Sequence, residues 1–198
     1  MSTDGLDKSR RRFLTAATSV VGAVGAGFVA VPFIENMLPS ERAKAAGAPV
    51  EVDISKLQPG MRITVQWRGK PVWVVYRTEQ NLKDLPTLDS QLADPQSEVS
   101  TQQPPYIKGD FRSIKPKYMV MVGICTHLGC SPTYRPEIAP DDLGPNWKGG
   151  FFCPCHGSRF DLSGRVYKGV PAPTNLVVPP YKYLSDTKII IGVDKGAA

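Results

Sequence analysis

The sequence predicts a mainly β fold: an antiparallel β-sandwich base with a loop-rich subdomain inserted in it, preceded by one N-terminal transmembrane helix. Three observations carry this. An uncharged run from Phe13 to Ile34 opens the chain. Short stretches of alternating β-branched and aromatic residues follow, separated by turns that 18 Gly and 19 Pro supply. All four cysteines and both histidines then fall into two short windows, 125–130 and 153–158. At 198 residues the chain holds one well-buried domain with something added, and not two.

The leader comes first. Ser9-Arg10-Arg11-Arg12-Phe13-Leu14 matches the twin-arginine export pattern. The 22 residues from Phe13 to Ile34 make about 33 Å of helix, enough to cross a bilayer core. Residues 1–12 are therefore expected as a cytoplasmic leader and 13–37 as the anchor. Arg10 to Arg12 before the run, against Glu35 and Glu41 after it, keep the N-terminus in the cytoplasm by the positive-inside bias. A cleaved signal peptide competes, because Ala43-Lys44-Ala45 has the small residues of a cleavage site. The length of the run, and Glu41 and Arg42 just before that site, favour a retained anchor. Residues 38–49 turn to Ala, Gly, Pro and charge without apolar periodicity, and are expected as a flexible tether to a head over 50–198.

The head opens with strand signals. Ile63, Val65 and Trp67 alternate with polar residues, Arg68-Gly69-Lys70-Pro71 supplies a turn, and Val72 to Tyr76 continues, which makes a hairpin with buried tryptophans. Leu82, Leu85, Leu88 and Leu92 allow a short helix interrupted at Pro86, and the polar stretch through Gln103 reads as loop. Tyr118 to Ile124 is an apolar strand that delivers Cys125. Pro136 to Lys148 reads as a surface loop carrying Asp141 and Asp142. Gly169 to Pro173 can be neither helix nor central strand, and Lys188 to Val193 is a last buried strand. The net charge of +6 is spread out, with no basic block interleaved with aromatics, so no nucleic-acid partner is expected.

Chemistry concentrates in Cys125-Thr126-His127-Leu128-Gly129-Cys130 and Cys153-Pro154-Cys155-His156-Gly157-Ser158. Four thiolates suit zinc or an all-cysteine iron–sulfur cluster, and leave two histidines without a role. Two Cys and two His suit a zinc ribbon, with two cysteines over. Two ordinary disulfides would leave the histidines as bystanders. A cluster with one iron on two thiolates and one on two imidazoles, plus a disulfide in an oxidising compartment, employs all six.

The two motifs resemble the pair found in Rieske 2Fe-2S proteins. The resemblance implies one 2Fe-2S cluster ligated by Cys125, His127, Cys153 and His156, a disulfide between Cys130 and Cys155, and a cluster-binding part over about 119–175. It implies that Ser158 donates its hydroxyl to a bridging sulfide. It also implies that His156, with His127 beside it, acts catalytically by taking a proton from a quinol. Leu128 and Gly129 lie at the same tip as candidate docking contacts for an apolar partner surface. One departure is Phe160, where many members carry a tyrosine that bonds a ligand sulfur; its loss predicts a less oxidising cluster.

The twin-arginine leader, the single anchor, Trp67-Arg68-Gly69-Lys70-Pro71-Val72, Leu92-Ala93-Asp94-Pro95-Gln96 and the proline loop are similar to the iron–sulfur subunits of bacterial ubiquinol–cytochrome c reductases. Two differences are Val170, an extra residue in the proline loop, and the insert around Pro136 to Lys148. That likeness implies a cytochrome b subunit, a membrane-anchored cytochrome c subunit, ubiquinol at the partner's site, a dimeric complex in the bacterial inner membrane, and a periplasmic head. The alternative is the Rieske subunit of an arsenite-oxidase-like exported enzyme, which predicts cleavage near Ala45 and no stable membrane association.

Overall fold

The computed structural model describes residues 7–194, and these fall into two compact units that meet in sequence between Ala45 and Ala46. The first unit is dominated by α1, Lys8–Met37. Asp7 caps it, its carboxylate accepting from the Ser9 and Arg10 N–H groups, which neutralises donors the first turn cannot satisfy internally. Its 30 residues span about 45 Å. Phe13, Val20, Phe28 and Phe33 are exposed along it. The Thr15 and Thr18 hydroxyls donate back to the carbonyls of Arg11 and Leu14, so neither is an orphan in an apolar medium. Among the described residues this is the one helix long and apolar enough to cross a membrane, with mean hydropathy 1.9 in its most apolar window. Within 38–49 a second helix forms, α2 at Glu41–Ala46. Good helix formers, the Ser40 hydroxyl on the Ala43 N–H and a Glu41–Lys44 pair supply it without any burial.

The head is built from three antiparallel three-stranded sheets. Its strands are β1 (Val50–Asp53), β2 (Arg62–Trp67), β3 (Lys70–Tyr76), β4 (Tyr118–Val122), β5 (Thr133–Ile138), β6 (Lys148–Phe152), β7 (Arg159–Asp161), β8 (Tyr181–Ser185) and β9 (Lys188–Ile191). The sheets run β1-β9-β8, β2-β3-β4 and β5-β6-β7. The predicted hairpin forms with Arg62 opposite Val75 and Trp67 opposite Lys70. Its turn needs a left-handed backbone at both central residues, and Arg68 and Gly69 adopt φ of 50° and 70°. Val72, Val74, Val75, Met119, Val120 and Met121 are buried, so β3 and β4 form the floor of the core.

Three details differ from the sequence reading. The leucine-rich stretch breaks at Pro86 as expected, but the helix starts earlier and continues in another form: α3 covers Glu79–Asp84 behind a Thr78–Asn81 capping box, and a 3₁₀ turn takes over at Leu85–Gln91. Pro86 has no N–H to continue an α-helix, and the 3₁₀ geometry still buries Leu85 and Leu88. The surface loop is shorter than expected, because β5 runs through Pro136 to Ile138 and Lys148 already belongs to β6. A proline is tolerated there because β5 is an edge strand with irregular register between Arg135 and Ile138. Finally β1, β7 and β8 are short strands whose alternation was too brief to announce them. Gly150 matters to β7: a Cβ there would collide with the Phe160 carbonyl, so only glycine lets β6 and β7 approach.

Candidate metal centre

Each ligand loop follows directly from a strand of the head. The first leaves β4 and enters β5, linking two sheets; the second is the turn between β6 and β7. Both close in the same way. The Cys125 N–H donates to the Cys130 carbonyl at 2.7 Å, and the Gly129 N–H returns to the Cys125 carbonyl at 3.1 Å. In the second loop Cys153 N–H donates to Ser158 O at 2.8 Å, and Gly157 N–H to Cys153 O at 2.9 Å. Each closure requires a left-handed residue at the fifth position, supplied by Gly129 at φ 87° and Gly157 at φ 74°. The two knuckles are therefore one backbone shape used twice.

This shape sorts the donors by depth. Cys125 and Cys153 are free thiols, 3% and 2% exposed, whose side chains touch. Burial pushes the Cys153 thiol up, and the Cys125 sulfur beside it adds to that. A proton is thus hard to remove unless a metal replaces it. His127 is half-buried and His156 exposed, with their rings edge to face and centroids 4.8 Å apart. Two sulfurs lie inside and two imidazoles lie at the surface.

The loops are fastened together in three places. Cys130 and Cys155 are joined in a disulfide. Both bridge sulfurs lie within 4.8 Å of the Cys153 sulfur, so the bridge packs beside the inner thiols rather than competing as a ligand. The other two fasteners come from the proline loop after Gly169. Its Ala172 N–H donates to Ser158 Oγ at 3.1 Å, and its Thr174 carbonyl accepts the Thr126 hydroxyl at 2.7 Å. Thr126 was not singled out by sequence, since nothing near it announces a partner 48 positions away. Ser158 is fully buried and accepts from Ala172, which leaves its own hydroxyl proton without a protein acceptor among the described residues. A buried hydroxyl in that condition wants an acceptor from a bound group. Leu128 and Gly129 sit at the exposed tip, Leu128 at 73% exposure. Phe160 points into the core, fully buried and opposite Phe151.

Two buried thiols, two surface imidazoles and a hydroxyl with a spare proton fit an iron–sulfur group held by mixed ligands. The same four donors alone would also fit zinc. Comparison with known proteins separates the two. Residues 49–182 match the Rieske [2Fe-2S] domain, and residues 1–40 match the twin-arginine signal of the ubiquinol–cytochrome c reductase Fe-S subunit. The chain thus belongs to the Rieske [2Fe-2S] proteins, and its cofactor is one cluster of that type. A ubiquinol-cytochrome c reductase iron-sulfur subunit from Allochromatium vinosum is 66% identical over all of this chain and 95% of its own length. One from Rhodospirillum rubrum is 44% identical over 96% of both. Within the Rieske proteins, then, the chain belongs to the iron–sulfur subunits of ubiquinol–cytochrome c reductase. A chain of a hyperthermophilic respiratory Complex III is 27% identical, covering 88% of this chain and 98% of its own, with a TM-score of 0.48.

Proposed function

We propose that this subunit takes one electron, coupled to one proton, from ubiquinol bound by a cytochrome b subunit and passes it to a membrane-anchored cytochrome c. In this reading Cys125, His127, Cys153 and His156 hold the cluster, Ser158 donates to it, and the Cys130–Cys155 bridge keeps the loops closed. The bound cluster supplies a one-electron acceptor, and mixed imidazole–thiolate ligation places its potential high in the iron–sulfur range, as is general for such centres. The chain's own residues do the rest. His156 presents its outer ring nitrogen to solvent and takes the quinol proton; His127, 4.8 Å away, is placed to do the same. Leu128 and Gly129 carry the contact with the partner's apolar surface. The Thr126 and Ala172 bonds hold the proline loop over the side away from the tip and keep water from the inner sulfurs.

The domain plan follows the same reading: a cytoplasmic leader over 1–12, an anchor over 13–37, a tether over 38–49 and a periplasmic head over 50–198 in a dimeric complex of the bacterial inner membrane. The observation that carries the function is the depth sorting of the donors, with only the imidazoles within reach of a quinol. An EPR-monitored redox titration of membranes over a range of pH tests it. The potential should be flat at low pH and then fall by about 59 mV per pH unit for each proton coupled. A potential that stays flat into strongly alkaline solution rules out exposed histidine ligands.

A further inference from the structure

The second ligand loop runs straight into a layer of buried cations. Arg77, Arg112 and Arg165 are 1%, 0% and 0% exposed. Arginines this deep normally sit on carboxylates. Of these three only Arg165 forms ion pairs: with buried Asp161 at 2.7 Å, and with the partly exposed Asp89 at 2.8 Å and Asp110 at 3.6 Å. Arg77 is satisfied by neutral groups, the carbonyls of Phe111 and Pro116 and the hydroxyls of Ser113 and Ser163. Arg112 donates to the carbonyls of Ser163, Gly164 and Leu176 and to the Gln103 side chain. Burial pushes both guanidiniums down to about 10, which leaves them charged at neutral pH. Three buried positive charges thus face one fully buried negative one.

The acceptors place this layer behind the metal centre. Ser163, Gly164 and Arg165 form the turn that leaves β7, and Leu176 follows the proline loop. At about 3.3 Å per residue, β7 carries the chain only about 10 Å from Ser158 to Asp161. Neutral amide side chains could donate to several of these acceptors without the cost of desolvating charge. The charge itself therefore has a use that packing does not explain.

We propose that Arg77, Arg112 and Arg165 form an electrostatic backing that raises the reduction potential of the group held by Cys125, His127, Cys153 and His156. The inference rests on that ligand assignment. Reduction adds one electron, and so one unit of negative charge, to the site. Fixed cations in a medium that water and salt screen poorly stabilise the reduced form over the oxidised one. The backing also offsets part of what the hydroxyl-free Phe160 takes away.

The test is an EPR-monitored titration with chemical mediators on the full-length protein in its membranes. With the roughly 10 Å that β7 spans taken as the separation and an effective permittivity of about 20, one charge changes a one-electron equilibrium about sixteenfold, or about 70 mV. Arg112→Gln should lower the potential by about that amount. Arg112→Lys loses the same carbonyl fork and keeps the charge, so it should stay near the unmodified value. Asp89→Asn should move the potential upward by a smaller amount, since Asp89 is partly exposed. Equal shifts in the Gln and Lys variants overturn the proposal, as does a zero or downward shift in Asp89→Asn. If Arg112→Gln fails to assemble the centre, the sign of the Asp89→Asn shift decides. Absence of a Rieske-type EPR signal in the unmodified protein would instead defeat the ligand assignment.

Discussion

Phe160→Tyr tests how the ring behind the second loop bears on the centre. Phe160 is fully buried, two residues beyond Ser158 and in register with Phe151, whose ring stacks on Trp73 with centroids 4.8 Å apart. The aromatic stack fixes the plane of the neighbouring rings, so a tyrosine should occupy the same slot with one added hydroxyl. A hydroxyl that finds a ligand sulfur contributes a net hydrogen bond of about 0.5–1.5 kcal/mol, felt mostly in the more negative reduced state. For a one-electron couple that is an upward shift of about 20–60 mV. An EPR-monitored titration measures it, alongside thermal bleaching of the visible spectrum. If the hydroxyl finds no acceptor, it is an orphaned polar group costing about 1–3 kcal/mol. An unmoved potential with bleaching at lower temperature would refute the expectation that a hydroxyl at position 160 reaches a ligand sulfur.

Two further outcomes concern the fasteners. Removing the bridge with Cys130→Ala and Cys155→Ala opens a loop with a sequence separation of 25. The chain-entropy account puts that at about 3.5 kcal/mol, so the double variant should release iron at clearly lower temperature or denaturant; resistance equal to the unmodified protein would contradict it. Thr126→Val deprives the half-buried Thr174 carbonyl of its donor at a cost of about 1–3 kcal/mol. Amide exchange at Ala172 should then quicken by about tenfold or more, with Thr126→Ser restoring protection, and unchanged exchange would show that the proline loop is held elsewhere.

Much of the site was legible because its chemistry is rare in the chain. Six residues in two windows name their own neighbourhood, and the hairpin from Arg62 to Tyr76 declared itself through alternation and a turn. The rest was hidden for physical reasons. β7 has three residues and β1 four, too few for a period of two to rise above composition. β5 contains Pro136, which argues against a strand unless its edge position is already known. The bond from Thr126 to Thr174 and the guanidinium layer depend on long-range contacts that no local pattern encodes. The interruption expected at Pro86 is there, but the 3₁₀ turn that follows was hidden because apolar spacing at i+3 serves a 3₁₀ turn as well as an α-helix.

The depth sorting of donors makes the head a plug with a single terminal. The two free thiols are buried, and the imidazole end, with Leu128 beside it, is exposed. A donor and an acceptor that both need that end cannot be served together. On the proposed function, turnover then serves them one after the other.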